Sequence, residues 1–166
     1  ANAEDGIPDE CTNWSPLDTE SRWWLAAGQG DKLVAVWVRD DEARTSVPAT
    51  AEISLDTIAP EDGALQARWN GSDVSLAWTA ATDERSGVDE YMVVYAAGTT
   101  VPADCSEGTV AYAGSARSTV VEDLEDTSSY SFRVCAWDAA ANLSVGSTEV
   151  LAAAGELFGT ILILSL

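Results

Sequence analysis

The chain has 166 residues, room for two small domains rather than one large enzyme. Its 28 acidic residues against 8 basic ones give a formal charge of −20, which leaves nucleic acid or an anionic membrane surface without the basic patch either requires. There is no histidine, so the commonest general base and a frequent metal ligand are missing, and no stretch reaches the ~18–20 apolar residues of a membrane-spanning helix.

From the N-terminus, Ala1-Asn-Ala reads as a processed start. Cys11 and the pair Trp23-Trp24 follow, before a first strand pattern, Val34-Ala-Val-Trp-Val-Arg-Asp40. Ser46-Val47 and Thr50 then lead to Leu55-Asp-Thr-Ile-Ala-Pro60. Beyond it the pattern is regular. Leu65–Trp69 is a strand closed by the turn dipeptide Asn70-Gly71, and Val74, Leu76 and Trp78 share one face of the next strand. The loop 82–87 precedes a strand at Tyr91–Tyr95; short strands follow at Val110–Tyr112 and Thr119–Val121. A long strand, Tyr130–Trp137, places Tyr130, Phe132, Val134 and Ala136 on one face, and a last strand covers Ser147–Leu151. Seven strands at this spacing predict a two-sheet sandwich.

The first pattern repeats the last. Val36 stands as Val134 does, Asp40 as Asp138, Ser46-Val47 as Ser144-Val145, and Thr50 as Thr148, at an offset of about 98 residues. Projected back by that offset, the start of the second copy falls about 38 residues before Ala1. The expectation is one complete domain preceded by one that begins in its middle.

Leu76-Ala-Trp78, Ala81-Thr-Asp83, Ser86-Gly-Val88, Tyr91, and Leu124-x-x-Thr127-x-x-Tyr130-x-Phe-Arg-Val-Cys-Ala together resemble a fibronectin type III domain of the bacterial extracellular kind. Asp138-Ala-Ala-Ala-Asn142-x-Ser144 is similar to the Asp-x-Ala-Gly-Asn-x-Ser turn of tandem arrays of such domains, with Ala141 in place of glycine. Leu55–Pro60 resembles the linker between their repeats. The resemblance covers residues 60–152, and residues 11–58 look like the back half of an Ig-like repeat in which Asp41-Glu-Ala-Arg44 departs from the usual turn. It implies an all-β chain of two tandem Ig-like/fibronectin III sandwiches: residues 1–58, incomplete on the N-terminal side; residues 59–153; and an apolar strand in 154–166. Such sandwiches host many functions, so the pattern speaks to fold and not to chemistry.

Relatives of this kind often pair the cysteines that stand at Cys105 and Cys135. Cys135 faces away from Phe132 and Val134, so a bridge over the outer face fits and implies an oxidising compartment. It closes a loop of about 30 residues, worth roughly 3–4 kcal/mol. Cys11 is left over, either a free thiol or an intermolecular partner. The loops 83–90 and 138–142 should share one pole and gather Asp83, Glu84, Asp89, Glu90 and Asp138. Asp83, Asp89 and Asp138 are candidate Ca²⁺ ligands, but no dedicated loop spacing is present and turn capping is the commoner role. No resident cofactor is expected otherwise. Asn13, Asn70 and Asn142 begin Asn-x-Ser sequons, glycan acceptors in a eukaryotic secretory pathway and turn residues in a bacterial chain. Trp23-Trp24 and Trp69 could form an aromatic platform for a cell-surface glycan, although core packing is the more frequent fate of tryptophan. No catalytic constellation is present: there is no phosphate loop, no Cys/His pair and no metal-ligand spacing.

The C-terminal segment is apolar on both faces through Leu157, Phe158, Ile161, Leu162, Ile163, Leu164 and Leu166. Left in water it would aggregate. Burying such side chains at ~1.5–3 kcal/mol each offsets the ordering of a ten-residue strand only if most are well buried, as in a core. The two ends of a seven-stranded sandwich lie at opposite poles, so the segment points toward the open domain of a next chain. The expected function is a secreted structural subunit that donates its C-terminal strand head to tail, with copies of itself as partner. The competing reading is a fragment of an adhesin, or a spacer or glycan-binding module of a larger secreted protein.

Overall fold

The structure, a computed structural model, describes residues 14–20, 22 and 24–154, which form nine strands and fall into two compact units, residues 1–57 and 58–166. The described part is all-β, as the alternating patterns predict.

Unit 2 is a two-layer sandwich. Its strands are β3 (Leu65–Asn70), β4 (Asp73–Trp78), β5 (Val88–Ala97), β6 (Thr109–Gly114), β7 (Ser118–Val121), β8 (Tyr130–Asp138) and β9 (Ser147–Leu151). One sheet has the order β3-β4-β7 and the other β6-β5-β8-β9, every pair antiparallel. Alternation decides what lies between them. Leu65 and Ala67 of β3, Val74, Leu76 and Trp78 of β4, Tyr91 and Val93 of β5, and Tyr130, Phe132, Val134 and Ala136 of β8 form one buried cluster. Trp78 meets Tyr91 edge-on, and Tyr95 stacks on Phe132. Two tyrosine hydroxyls fasten loops to this core: the Tyr130 hydroxyl accepts from the Glu125 N–H at 3.2 Å, and the Tyr91 hydroxyl from the Ala81 N–H at 3.0 Å. The first is the corner contact that sandwich domains use at the start of this strand.

β5 begins three residues earlier than the Tyr91 expected from hydrophobicity, because a bulge at Asp89 keeps Val88 and the polar Glu90 on the ladder with β8. Both faces of β5 are covered. Tyr91 and Val93 point into the core, while Met92 and Val94 lie in a second, outer cluster with Cys105 and Cys135. Those cysteines are bonded to each other. The loop they tie down is also held by the Ser131 hydroxyl, which donates to the Thr100 carbonyl at 2.8 Å, and by Arg133 Nε, which donates to the Pro102 carbonyl at 2.7 Å. Gly146 is required where this layer meets β9: its φ is 89°, and a Cβ there would lie 2.7 Å from Cys135 Sγ.

Unit 1 holds two described strands, β1 (Gly30–Val36) and β2 (Ala49–Leu55), paired antiparallel as a two-stranded sheet. β1 stops at Val36 rather than continuing to Asp40. The Val38 N–H turns to the Ser46 hydroxyl at 3.0 Å, and only an isolated bridge, Arg39 to Thr45, continues the ladder.

Candidate functional site: the β1–β2 hairpin and the acidic pole

The hairpin of unit 1 repeats the β8–β9 hairpin of unit 2 bond for bond. Val36 lies opposite Ala49 as Val134 lies opposite Ser147, and Val34 opposite Ala51 as Phe132 opposite Glu149. The bridge from Arg39 to Thr45 has its counterpart from Trp137 to Leu143. In both turns an aspartate organises the backbone. Asp40 Oδ1 accepts the N–H groups of Glu42 and Arg44 at 3.1 and 2.8 Å; Asp138 Oδ1 accepts those of Ala140 and Asn142 at 2.9 and 2.7 Å. A serine closes each turn: the Ser46 hydroxyl accepts from Val38 N–H, and the Ser144 hydroxyl from Ala136 N–H. Ala43 and Ala141 both take the left-handed conformation, at φ 62° and 66°.

The sequence of the first turn, Asp41-Glu-Ala-Arg44, suggests a departure from this pattern, and the structure shows none. Arg44 substitutes for Asn142: its Nε donates to Asp40 Oδ2 at 2.7 Å, where the Asn142 amide donates to Asp138 Oδ2 at 2.7 Å. Residue type hides the equivalence because two different N–H donors fill one position. The hydrogen bonds with Arg44 hold the Asp40 carboxyl below its ordinary value.

The two hairpins differ in what covers them. In unit 2, β5 pairs with the far edge of β8, and the sheet opposite buries its inner face. Among the described residues of unit 1, no strand pairs with the far edge of β1. Val36 is 57% exposed where Val134 is 3%, and Val38 is 54% exposed where Ala136 is 1%. Val47 and Val145 are both exposed, so the contrast is confined to the strands. The outer face of β1 is apolar as well, with Leu33, Ala35 and Trp37 standing where unit 2 has Ser131, Arg133 and Cys135. A strand apolar on both faces needs cover on both, as β8 has from the opposite sheet on one side and the Cys105 loop on the other.

At the other location, the loops carrying Asp83 and Asp138 do share one pole, joined by Ala139 N–H donating to the Gly87 carbonyl at 3.1 Å. A carboxylate oxygen of Asp83 lies within 4.8 Å of one of Asp138. Asp83 Oδ1 also accepts from the N–H groups of Arg85 and Gly87 at 3.1 and 2.7 Å, so both aspartates serve as turn caps. Asp89 sits exposed on β5, outside that pair. Asp62 ties the pole to the β8–β9 turn, accepting from the Ser144 hydroxyl and, at 2.7 Å, from Gly146 N–H.

Trp69 Nε1 donates to the Ala152 carbonyl at 2.8 Å and its ring meets Tyr130 edge-on, so it is packing. Trp24 is 97% exposed and lies outside any strand. Trp23, Cys11, Asn13 and the apolar segment Leu157, Phe158, Ile161, Leu162, Ile163, Leu164 and Leu166 lie outside the described residues. The Asn142 side chain is engaged with Asp138, as a turn residue is.

No protein-family model matches the chain, and no curated protein does. Solved structures do. Domains A168–A170 of titin align with a TM-score of 0.53 at 18% identity, over 82% of this chain and half of that one. Domains d3–d4 of the rat CD45 extracellular region align at 0.50 and 10% identity, over 87% of this chain and 75% of that one. The sixth fibronectin type III domain of human fibronectin type III domain containing protein 3 aligns at 0.49 and 16% identity, over 60% of this chain and 90% of that domain. At these identities the likeness is one of fold: a fibronectin III/Ig-like sandwich.

Proposed function

We propose that this chain is an extracellular structural subunit of the bacterial fibronectin III/Ig-like kind, joined to further copies by β-strand donation from residues 157–166 into unit 1. It has no catalytic role. The observation that carries the reading is the β1–β2 hairpin, which copies the turn bonds of a sandwich hairpin while, among the described residues, no strand takes beside β1 the place that β5 holds beside β8. A lone two-stranded hairpin is marginal in water, and a third strand with an apolar face changes that. The disulfide between Cys105 and Cys135 supports an oxidising compartment, hence the cell surface or beyond. Electron microscopy of the natively purified protein tests the function: thin filaments are expected, and their loss on deleting residues 157–166. Filaments unchanged by the deletion would refute it.

A second reading rests on Trp24, whose exposure suits a module that carries a glycan-binding ring within a larger secreted protein. Affinity electrophoresis in soluble polysaccharides tests that reading, with retardation lost in Trp24→Ala as its signature. The acidic pole enters the proposal as turn structure. Ca²⁺ is the cofactor its oxygen atoms suit, and a rise in the melting temperature of unit 2 with millimolar Ca²⁺, absent in Asp83→Asn, would add that ion to the module.

A further inference from the structure

The strand-donation reading leaves open where in unit 1 a strand would enter, in which direction, and with which side chains inward. The repeat answers all three. In unit 2 the edge of β8 facing away from β9 is filled by β5, antiparallel, from Val88 opposite Asp138 to Ala97 opposite Tyr130. Carried across the repeat, Asp138 and Tyr130 become Asp40 and Lys32. The matching edge of unit 1 therefore runs from Lys32 to Asp40, and among the described residues no strand occupies it.

What fills that edge must resemble β5: about ten residues, apolar on both faces and without charge at its centre. Residues 1–13, 21 and 23 offer no such run, and the apolar strands of unit 2 are already paired. Leu157–Leu166 has the length, and both of its faces are apolar. It is also uncharged, which matters between copies that each carry a formal charge of −20.

The occupant is a second copy rather than the same chain. Residues 61–62 enter unit 2 at the pole of Thr82 and Ser144, and the last described residues leave at the pole of Trp69 and Asp126. β8 separates those poles by roughly 27 Å. Ten residues reach at most about 34 Å, so most of the segment would be spent before it regained the pole at which residues 61–62 enter unit 2.

Resting on that reading, we propose that the free edge of β1 takes Leu157–Leu166 of another copy as an antiparallel strand in the place β5 holds beside β8. The register that spans Lys32 to Asp40 sets Leu162 opposite Val36, Leu164 opposite Val34 and Leu166 opposite Lys32. Phe158, Leu162, Leu164 and Leu166 then face the side of Val34, Val36 and Val38, and Leu157, Ile161 and Ile163 face the side of Leu33, Ala35 and Trp37.

Cysteine trapping tests it on the full chain, with Cys11→Ser to leave only engineered thiols beside the Cys105–Cys135 bridge. Val36→Cys chains mixed with Leu162→Cys chains should give a covalent dimer on mild oxidation, read on a non-reducing gel. Val36→Cys mixed with Ile161→Cys should give several-fold less, because that thiol points to the other face. Equal yields from the two mixtures would overturn the register and facing. Assembly that depends on residues 157–166 but gives no Val36 cross-link would overturn the β1 edge and leave strand donation standing. Assembly indifferent to the deletion would remove both. A fast-migrating monomer from a chain that carries both Val36→Cys and Leu162→Cys, diluted before oxidation, would overturn the second copy as occupant.

Discussion

The β8–β9 and β1–β2 hairpins are one piece of structure in two surroundings. Their registers, aspartate caps, left-handed alanines and serine closures coincide, yet one strand is sealed on both faces and the other carries half-exposed valines. The difference teaches that a hairpin of this type is specified locally, by its turn, while its stability comes from tertiary cover. The register of β1 survives the weaker cover because the Asp40 turn fixes it, as the Asp138 turn does for β8.

Seven substitutions, in four groups, and one titration sharpen or break this contrast. The largest effect is expected in the covered copy: Phe132→Ala, at a fully buried centre, should cost about 3–5 kcal/mol in urea unfolding of unit 2. Its counterpart Val34→Ala should cost about 1 kcal/mol or less in the unassembled protein. Equal costs would mean that β1 is covered already. Next, Cys135→Ser should remove about 3–4 kcal/mol, since it frees the loop that seals the outer face of β5 and β8. Asp138→Ala should then cost about 2–3 kcal/mol, because it removes a buried carboxylate that accepts the N–H groups of its turn, and Asp40→Ala should show a smaller loss by the same unfolding assay. Ala141→Gly and Ala43→Gly should each stabilise by about 1 kcal/mol, since both alanines hold positive φ. A gain at only one of them would break the equivalence of the turns.

The smallest effect is on pH. Hydrogen bonds from Arg44 lower the Asp40 pKa below its ordinary 3.8, so this group stabilises the folded turn above that value and the contribution is lost as pH falls through the lowered pKa. The protection of the β1–β2 turn amides, relative to their unstructured exchange rates, should therefore fall below about pH 4, and Asp40→Asn should flatten that fall. A turn whose protection ignores acid would show that the carboxylate bonds do not hold it.

Much of unit 2 was legible in the sequence because each inward face alternates cleanly: Val74, Leu76 and Trp78, or Phe132 and Val134, leave one reading. Boundaries were less legible where polar residues stay on a ladder, as at the Asp89 bulge, which periodicity cannot anticipate. The repeat of Val36 and Asp40 in Val134 and Asp138 was visible, but Arg44 concealed the identity of the turns because an arginine Nε and an asparagine amide fill one donor position. Asp83 and Asp138 were rightly placed at one pole; the separation of Asp89 depends on which way a bulged residue points. Trp69 shows the limit of reading aromatics from composition, since its partner Ala152 lies 83 residues away.

The measurement that bears most directly on the account is hydrogen exchange at the β1 amides, Leu33 to Val36, in the assembled protein and in the chain lacking residues 157–166. The account predicts protection like that of β8 only when assembly occurs, and fast exchange at the free-edge amides of the truncated chain. Equal protection of β1 in the truncated monomer would contradict it, because the hairpin would then have its cover without a donated strand.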